Sequence, residues 1–354
     1  MDMTTLLGKD ACSDCEGGWP VLARIFRPVC CDLKAVEMRL GTTLGATNDA
    51  TVREIIDFLL ESPGKRIRPA LVLLSAGAAC ARPDGERAWQ EASVDLAAAV
   101  ELIHMASLVH DDLIDGATVR HHRASIQAKW GRQVAVSVGD YLCARAFRLV
   151  ADCADPRLFA ILGSQLVAMC EGELLQVVSR GDFSLCERHC LAVIEKKTAA
   201  LFGASCGAGA IVAGGEPGVC QALQEFGFHI GTAFQILDDC KDLLSDQEQL
   251  GKPPGQDLWV GDVTLPLLCA IRYCDEAKGK ATSPSLHGLD DWELGRVRQA
   301  LHSSRALERI AQWVGLHVGR ATQALGSLAD SDSKASLRRF TDSIAASTSR
   351  ILAG

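Results

Sequence analysis

The sequence predicts an all-α protein, and three observations carry that prediction. Apolar residues recur at helical spacing almost without interruption from about Val21. Aromatic residues make up only 5% of the chain, with Ala, Leu, Val and Gly supplying most of the apolar content; strands draw instead on aromatic and β-branched residues. No run alternates with period two for long enough to suggest a sheet. The expected architecture is a single all-α domain over residues 21–354, preceded by a poorly ordered extension at 1–20.

The elements follow in order. The segment TVREIIDFLLE (51–61) sets Val52, Ile55, Ile56, Phe58, Leu59 and Leu60 on one broad apolar face and stops at Ser62-Pro63-Gly64. A second helix covers 67–80, with Pro69 tolerable only near its first turn. Residues 90–115 make a third, and helices at 133–152 and 156–179 continue the pattern. Gly181-Asp182 with Ser184 is expected to break the chain and cap the next helix. A long helix spans 220–245, a Gly/Pro-rich loop follows at 250–266, and the polar stretch 277–290 is an exposed connection.

Charge and cysteine usage exclude several classes of function. The net charge is −8, which argues against nucleic acid as a partner. Cations cluster locally in GKRIRP (64–69) and RHHR (120–123), a pattern suited to small anionic ligands. The 15 cysteines are irregularly placed, and no secretory apolar region precedes the first helix, so reduced thiols in the cytoplasm are expected. Cys12 and Cys15 lack the paired spacing of a structural zinc site.

Two clusters of aspartate stand out against this background. HDDLID carries Asp111, Asp112 and Asp115 at the end of one apolar helix; DDCKD carries Asp238, Asp239 and Asp242 at the end of another. Like charges at this spacing repel, so each cluster calls for cations. On a helix the first and last member of each triplet share a face. Carboxylates with room for water and phosphate describe magnesium rather than zinc. Donors for an anion lie elsewhere: Lys65 and Arg68 at a helix start, His104 two turns before Asp111, Arg120, His121 and Arg123 after the first cluster, and Lys197, Thr198, Gln235 and Lys252.

The sequence resembles the trans-isoprenyl diphosphate synthases, or polyprenyl synthetases. The similarity runs through GKRIRP, ELIHMASLVHDDLID, IQAKWGRQVAVSVGDYLCARAF, EGELLQ, KKTAALFGASCGAGA, FQILDDCKDLLSD and LGKPPGQDLWVGDVTLP. It implies an antiparallel helical bundle around a deep central cavity, the isoprenoid synthase arrangement. It implies a homodimer that condenses isopentenyl diphosphate with an allylic diphosphate, with transient membrane contact for product release. Three magnesium ions per substrate-loaded site would be held by Asp111, Asp115 and Asp238, with Asp112, Asp239 and Asp242 alongside. Lys65, Arg68 and His104 resemble the isopentenyl diphosphate contacts; Arg120, Lys197, Thr198, Gln235 and Lys252 resemble the allylic ones.

The chain departs from the family pattern at His121, where most relatives have a second arginine; Arg123 is a candidate substitute. At Asp262 some relatives have lysine. The small residues Ala106 and Ser107, five and four positions before Asp111, leave an elongation tunnel open, so a product longer than farnesyl diphosphate is expected and Ala106→Phe should shorten it. The words IHMASLVHDD and AKWG…GDYL are most similar to medium- and long-chain synthases that make quinone side chains. Geranylgeranyl diphosphate synthesis and a non-catalytic subunit of a heteromeric synthase are the alternatives; the latter typically loses aspartates from one motif.

Overall fold

The computed structural model describes residues 20–61, 64–80, 88–120, 123–245, 254–278, 291–303 and 305–353. The N-terminal extension up to residue 19 with Cys12 and Cys15, His121, Lys252, and most of the 277–290 connection lie outside the described residues. The rest is helical apart from a hairpin of two-residue strands, Val119–Arg120 and Arg123–Ala124, which pattern reading did not detect because strands so short show no alternation. The chain forms two compact units. The first comprises Met1–Leu162, Ser205–Gln224 and Ser327–Phe340; the second comprises Gly163–Ala204, Glu225–Gly326 and Thr341–Gly354.

In the first unit, helix Ala88–Ile114 is packed by Cys30–Gly45, Ile67–Ala79 and Arg132–Asp152. Its middle is fully buried at Leu96, Leu102 and Ile103, so its position is fixed by close packing rather than by propensity. Gly139 lets helix Arg132–Asp152 approach closely: a Cβ there would lie 2.1 Å from His110 Nε2. Helix Ala50–Leu60 begins at Asp49, whose carboxylate accepts from Thr51 and Val52 N–H at 2.9 and 3.0 Å. Pro69 is the third residue of Ile67–Ala79, where its missing N–H has no helical partner to lose.

In the second unit, helix Leu265–Lys278 packs against Glu187–Ile194, Asp291–Ser303 and Ala306–Leu325. Asp182 and Ser184 do not cap the next helix. Asp182 Oδ1 accepts from Ser184 N–H at 3.0 Å and from its hydroxyl at 2.5 Å in a local turn, and the helix starts later, at Glu187, behind Cys186. Helix Glu187–Ile194 passes through a π-helical turn, Glu195–Ala199, before Ala200–Val212. At that turn Gly172 is required: a Cβ would lie 2.8 Å from the Lys197 backbone nitrogen.

Among the described residues, two helices, Trp89–Ile114 and Pro156–Val178, are long and apolar enough to cross a membrane. The apolar window of the first is 72% buried within the protein, that of the second 22%. On Pro156–Val178, Phe159, Val167, Leu174, Val177 and Val178 are exposed.

The second unit contains a histidine pair. His229 Nδ1 and His317 Nδ1 are 3.1 Å apart, which requires one ring to donate and the other to stay neutral. Burial, then His229 and Arg320, lower the His317 pKa to about 4; burial and Arg320 also lower that of His229, against the opposing pull of Glu225. The unfolded chain therefore binds more protons between pH 6.5 and 4, and stability falls as pH drops through that window. Denaturant unfolding should show on the order of 2–3 kcal/mol lost there, and His317→Leu should flatten the slope. An unchanged slope would mean the pair does not titrate with folding.

Candidate active site

The first acidic cluster closes helix Ala88–Ile114, and Asp115 lies one residue past it, its N–H bonded to Asp111 O at 2.9 Å. Carboxylates here oppose the negative end of the helix dipole, which sharpens their need for cations. Asp112 turns inward and is 5% exposed, while Asp111 and Asp115 stay half-buried. Arg120, at the end of the first short strand, grips Asp112 Oδ1 through Nε at 2.8 Å and Nη2 at 2.7 Å. Burial acts to lower the Arg120 pKa, but Asp112, followed by Asp111 and Asp115, raises it above its ordinary value. Gln127 donates to Asp112 O at 2.6 Å and to Ala117 O at 2.8 Å, pinning the turn beneath the cluster.

The second cluster closes helix Pro217–Leu244. Helical spacing puts Asp238 and Asp242 on one face, yet their environments differ: Asp238 is exposed, whereas Asp239 and Asp242 are buried. Asp239 accepts from Gln235 Nε2 at 2.7 Å, and Gln235 Oε1 accepts from Thr198 Oγ at 2.9 Å. Burial and then Asp257 hold the Asp239 pKa well above the carboxylate range; the Gln235 hydrogen bond opposes them, and Asp238 and Asp242 add to the rise. Asp257, in short helix Gln256–Val260, also donates its N–H to Asp242 Oδ2 at 3.4 Å. Sequence reasoning missed Asp257. The available signal was its place in GQDLW, a loop already matched to the family, but it lacks the i, i+4 acidic partner that marked the other aspartates.

The π-helical turn carries Lys197 and Thr198. A π turn shifts the backbone register by one residue and leaves carbonyls less fully committed than in an α-helix. Thr198 is buried, and Lys197 Nζ reaches Glu173 Oε2 at 2.5 Å and Gln176 Oε1 at 3.2 Å. Lys197, Thr198, Gln235 and the second acidic cluster thus belong to one hydrogen-bonded neighbourhood.

The GKRIRP segment behaves differently from its reading as a row of cations. Lys65 is exposed and Arg68 half-buried, but Arg66 between them is 5% exposed and adopts a left-handed backbone, φ 51°. A non-glycine residue holds that conformation only when its surroundings enforce it. Here Arg66 Nη1 donates to Glu101 Oε1 at 2.6 Å, and its other nitrogens fork onto the Glu37 carboxylate. Burial would lower the Arg66 pKa, but Glu101 and Glu37 hold it above its ordinary value. Glu101 lies three residues before His104 on the same helix, so this ion triad ties the Lys65 loop to the turn that carries His104.

Other expected donors are placed as follows. Arg123 pairs with Glu61 and stacks on Phe58, 4.7 Å from the ring centroid, so it is anchored to the end of helix Ala50–Leu60. Ser107 is half-buried and donates to His104 O at 2.8 Å. Ala106, beside it on the same helix, is 1% exposed. No group of three or more His, Cys, Asp or Glu side chains among the described residues is arranged to hold a metal ion. The hard oxygens and mutual repulsion of each cluster fit a divalent cation that takes its remaining ligands from water and phosphate.

Removing one member of the Arg66 triad should leave a buried charge unmatched. Arg66→Leu is expected to cost about 3–5 kcal/mol in denaturant unfolding, with part of the loss recovered in Arg66→Leu/Glu101→Leu. Additive losses would show that the two side chains are not energetically paired.

The sequence pattern of the polyprenyl synthetase family matches residues 49–303. The chain is 38% identical over 307 residues to heptaprenyl diphosphate synthase component 2 of Geobacillus stearothermophilus, covering 87% of this chain and 93% of that one. It is 33% identical to octaprenyl diphosphate synthase of Escherichia coli over 77% of this chain and 83% of that one. The crystal structure of a polyprenyl synthase from Caulobacter crescentus, complexed with calcium and isoprenyl diphosphate, superposes with a TM-score of 0.83 at 30% identity, covering 91% of this chain and 97% of that one. Divalent-metal dependence follows at the family level. With its helical fold, its two aspartate-bearing helices and this breadth of similarity, the chain belongs to the polyprenyl synthetase family and is a trans-prenyltransferase.

Proposed function

We propose that this enzyme condenses isopentenyl diphosphate with an allylic diphosphate to make a trans-polyprenyl diphosphate longer than farnesyl, using magnesium. The observation that carries the reading is the crowding of Asp238, Asp239, Asp242 and Asp257, whose repulsion and burial raise the Asp239 pKa and which a divalent cation would relieve. Asp111 and Asp115 would hold metal from the first cluster, with Asp112 kept in place by Arg120. Asp238, with Asp239 and Asp242 behind it, would do so from the second. Three ions per substrate-loaded site is the stoichiometry this reading adopts. Bound magnesium supplies Lewis-acid stabilisation of the charge that collects on a departing diphosphate.

The chain's own residues have complementary tasks. Lys65, Arg68 and His104 hold the isopentenyl diphosphate, with the Arg66 triad fixing their loop. Arg123, anchored on Glu61, and His121 are further candidate donors to phosphate. Arg120, Lys197 and Lys252 hold the allylic diphosphate. When the allylic C–O bond breaks, the electron pair leaves with diphosphate and an allylic cation remains. Thr198 and Gln235, oriented by Asp239, direct oxygen dipoles toward that charge. The isopentenyl double bond then supplies the electrons of the new C–C bond, and a proton is lost to the departed diphosphate as the new double bond forms.

The exposed stripe on helix Pro156–Val178 supports a homodimer, because burying it against a second copy removes apolar surface from water. The name "component 2" on the Geobacillus relative favours a second reading, a synthase that works with another subunit. We infer one folded catalytic domain for residues 21–354, a cytoplasmic location and transient membrane contact as product leaves.

Purified chain alone, given farnesyl diphosphate, labelled isopentenyl diphosphate and magnesium, should form longer prenyl diphosphates. Asp111→Ala and Asp238→Ala should each lower kcat by roughly a hundredfold or more. No incorporation without an added subunit would favour the heteromeric reading. Ser107→Phe should shorten the product on chromatography, and an unaltered length would remove Ser107 from the chain-length path.

A further inference from the structure

Asp262 is a buried carboxylate, 3% exposed, in the loop between helices Gln256–Val260 and Leu265–Lys278. Arg180 Nε donates to its Oδ1 at 2.7 Å, and Gln176 Nε2 donates to its Oδ2. The other end of the same Gln176 amide accepts from Lys197 Nζ at 3.2 Å. Backbone bonds close the junction: Gly181 N donates to Gly261 O at 2.9 Å, and Asp262 N donates to Asp257 O at 2.8 Å. Asp262 therefore links the end of the EGELLQ helix, the loop beyond the second acidic cluster and, through one amide, the lysine of the π turn.

Charge dictates the direction of this relay. With Oε1 toward the ammonium and Nε2 toward the carboxylate, both Gln176 contacts are favourable; the flipped amide would set oxygen against carboxylate and N–H against ammonium. A neutral side chain at 262 removes the stronger half of that preference. Arg180 pairs with Asp262 where it is buried. Lys197 is then held from two directions, by Gln176 and by Glu173.

We propose that Asp262 is a positioning residue which, through Gln176, orients the Lys197 ammonium for the allylic diphosphate. The inference rests on the reading above that Lys197 contacts that diphosphate. It also gives Asp262 a task of its own: the acid acts on a lysine from another segment.

The test uses the full-length enzyme with Asp262→Asn and, from the other end of the relay, Gln176→Leu, which spares the Arg180–Asp262 pair. Two measurements are made. The rate of Lys197 modification by an amine-reactive reagent, read by mass spectrometry without substrate, should rise several-fold in both variants. KM for farnesyl diphosphate should rise roughly tenfold while KM for isopentenyl diphosphate stays within about twofold, because only one ligand's contact is disturbed. Unchanged Lys197 labelling in both variants overturns the relay. So does an equal rise in both KM values, which marks a general structural effect. Lys197→Met separates the two claims: if it leaves the farnesyl diphosphate KM unchanged while labelling rises in the relay variants, the positioning of Lys197 stands and its assignment to the allylic diphosphate falls.

Discussion

The structure depends on the repulsion among carboxylates placed together at helix ends. Nothing in helix formation asks for three aspartates within five residues, and the dipole at a helix C-terminus opposes them. They persist because neighbouring elements restrain them. Arg120 and Gln127 hold the first cluster through Asp112; Gln235 and the Asp257 backbone hold the second through Asp239 and Asp242. What these restraints leave is a concentration of negative charge suited to divalent ions and, through them, to diphosphate.

The cationic residues are organised with similar economy. Arg66, Arg120, Arg123 and Arg180 each pair with a carboxylate of the protein, Glu37 and Glu101, Asp112, Glu61 and Asp262 respectively. Arg66 and Arg180 set the geometry of segments that carry other donors, whereas Arg120 and Arg123 are themselves in the proposed phosphate-binding set. Arginine near acidic motifs therefore serves two ends, because the same chemical type suits both scaffold and ligand.

Much of the fold was legible in the residues. Helices such as Ile67–Ala79 and Arg132–Asp152 announced themselves through apolar periodicity, with boundaries within one residue of expectation. The aspartate triplets were legible because their spacing is local. What escaped notice was long-range or short-lived in the chain: the Arg66–Glu101 bridge spans 35 positions, the Gln176–Asp262 bond 86, and the hairpin strands are two residues each. The Asp182–Ser184 turn misled for another reason, since the residues that cap helices also close local turns. Ala106 showed the limit of spacing arguments. Its size is visible in the sequence, but whether its smallness serves a tunnel or close packing is decided by neighbours distant along the chain.

We propose that the aspartate clusters act on diphosphate through divalent ions. This is tested most directly by manganese titration under electron paramagnetic resonance, with and without an unreactive farnesyl thiodiphosphate. The analogue should recruit additional ions whose spectra show dipolar coupling to one another, and replacing aspartates of either cluster should abolish the coupling. Ions bound independently of the analogue, with uncoupled spectra, would contradict it.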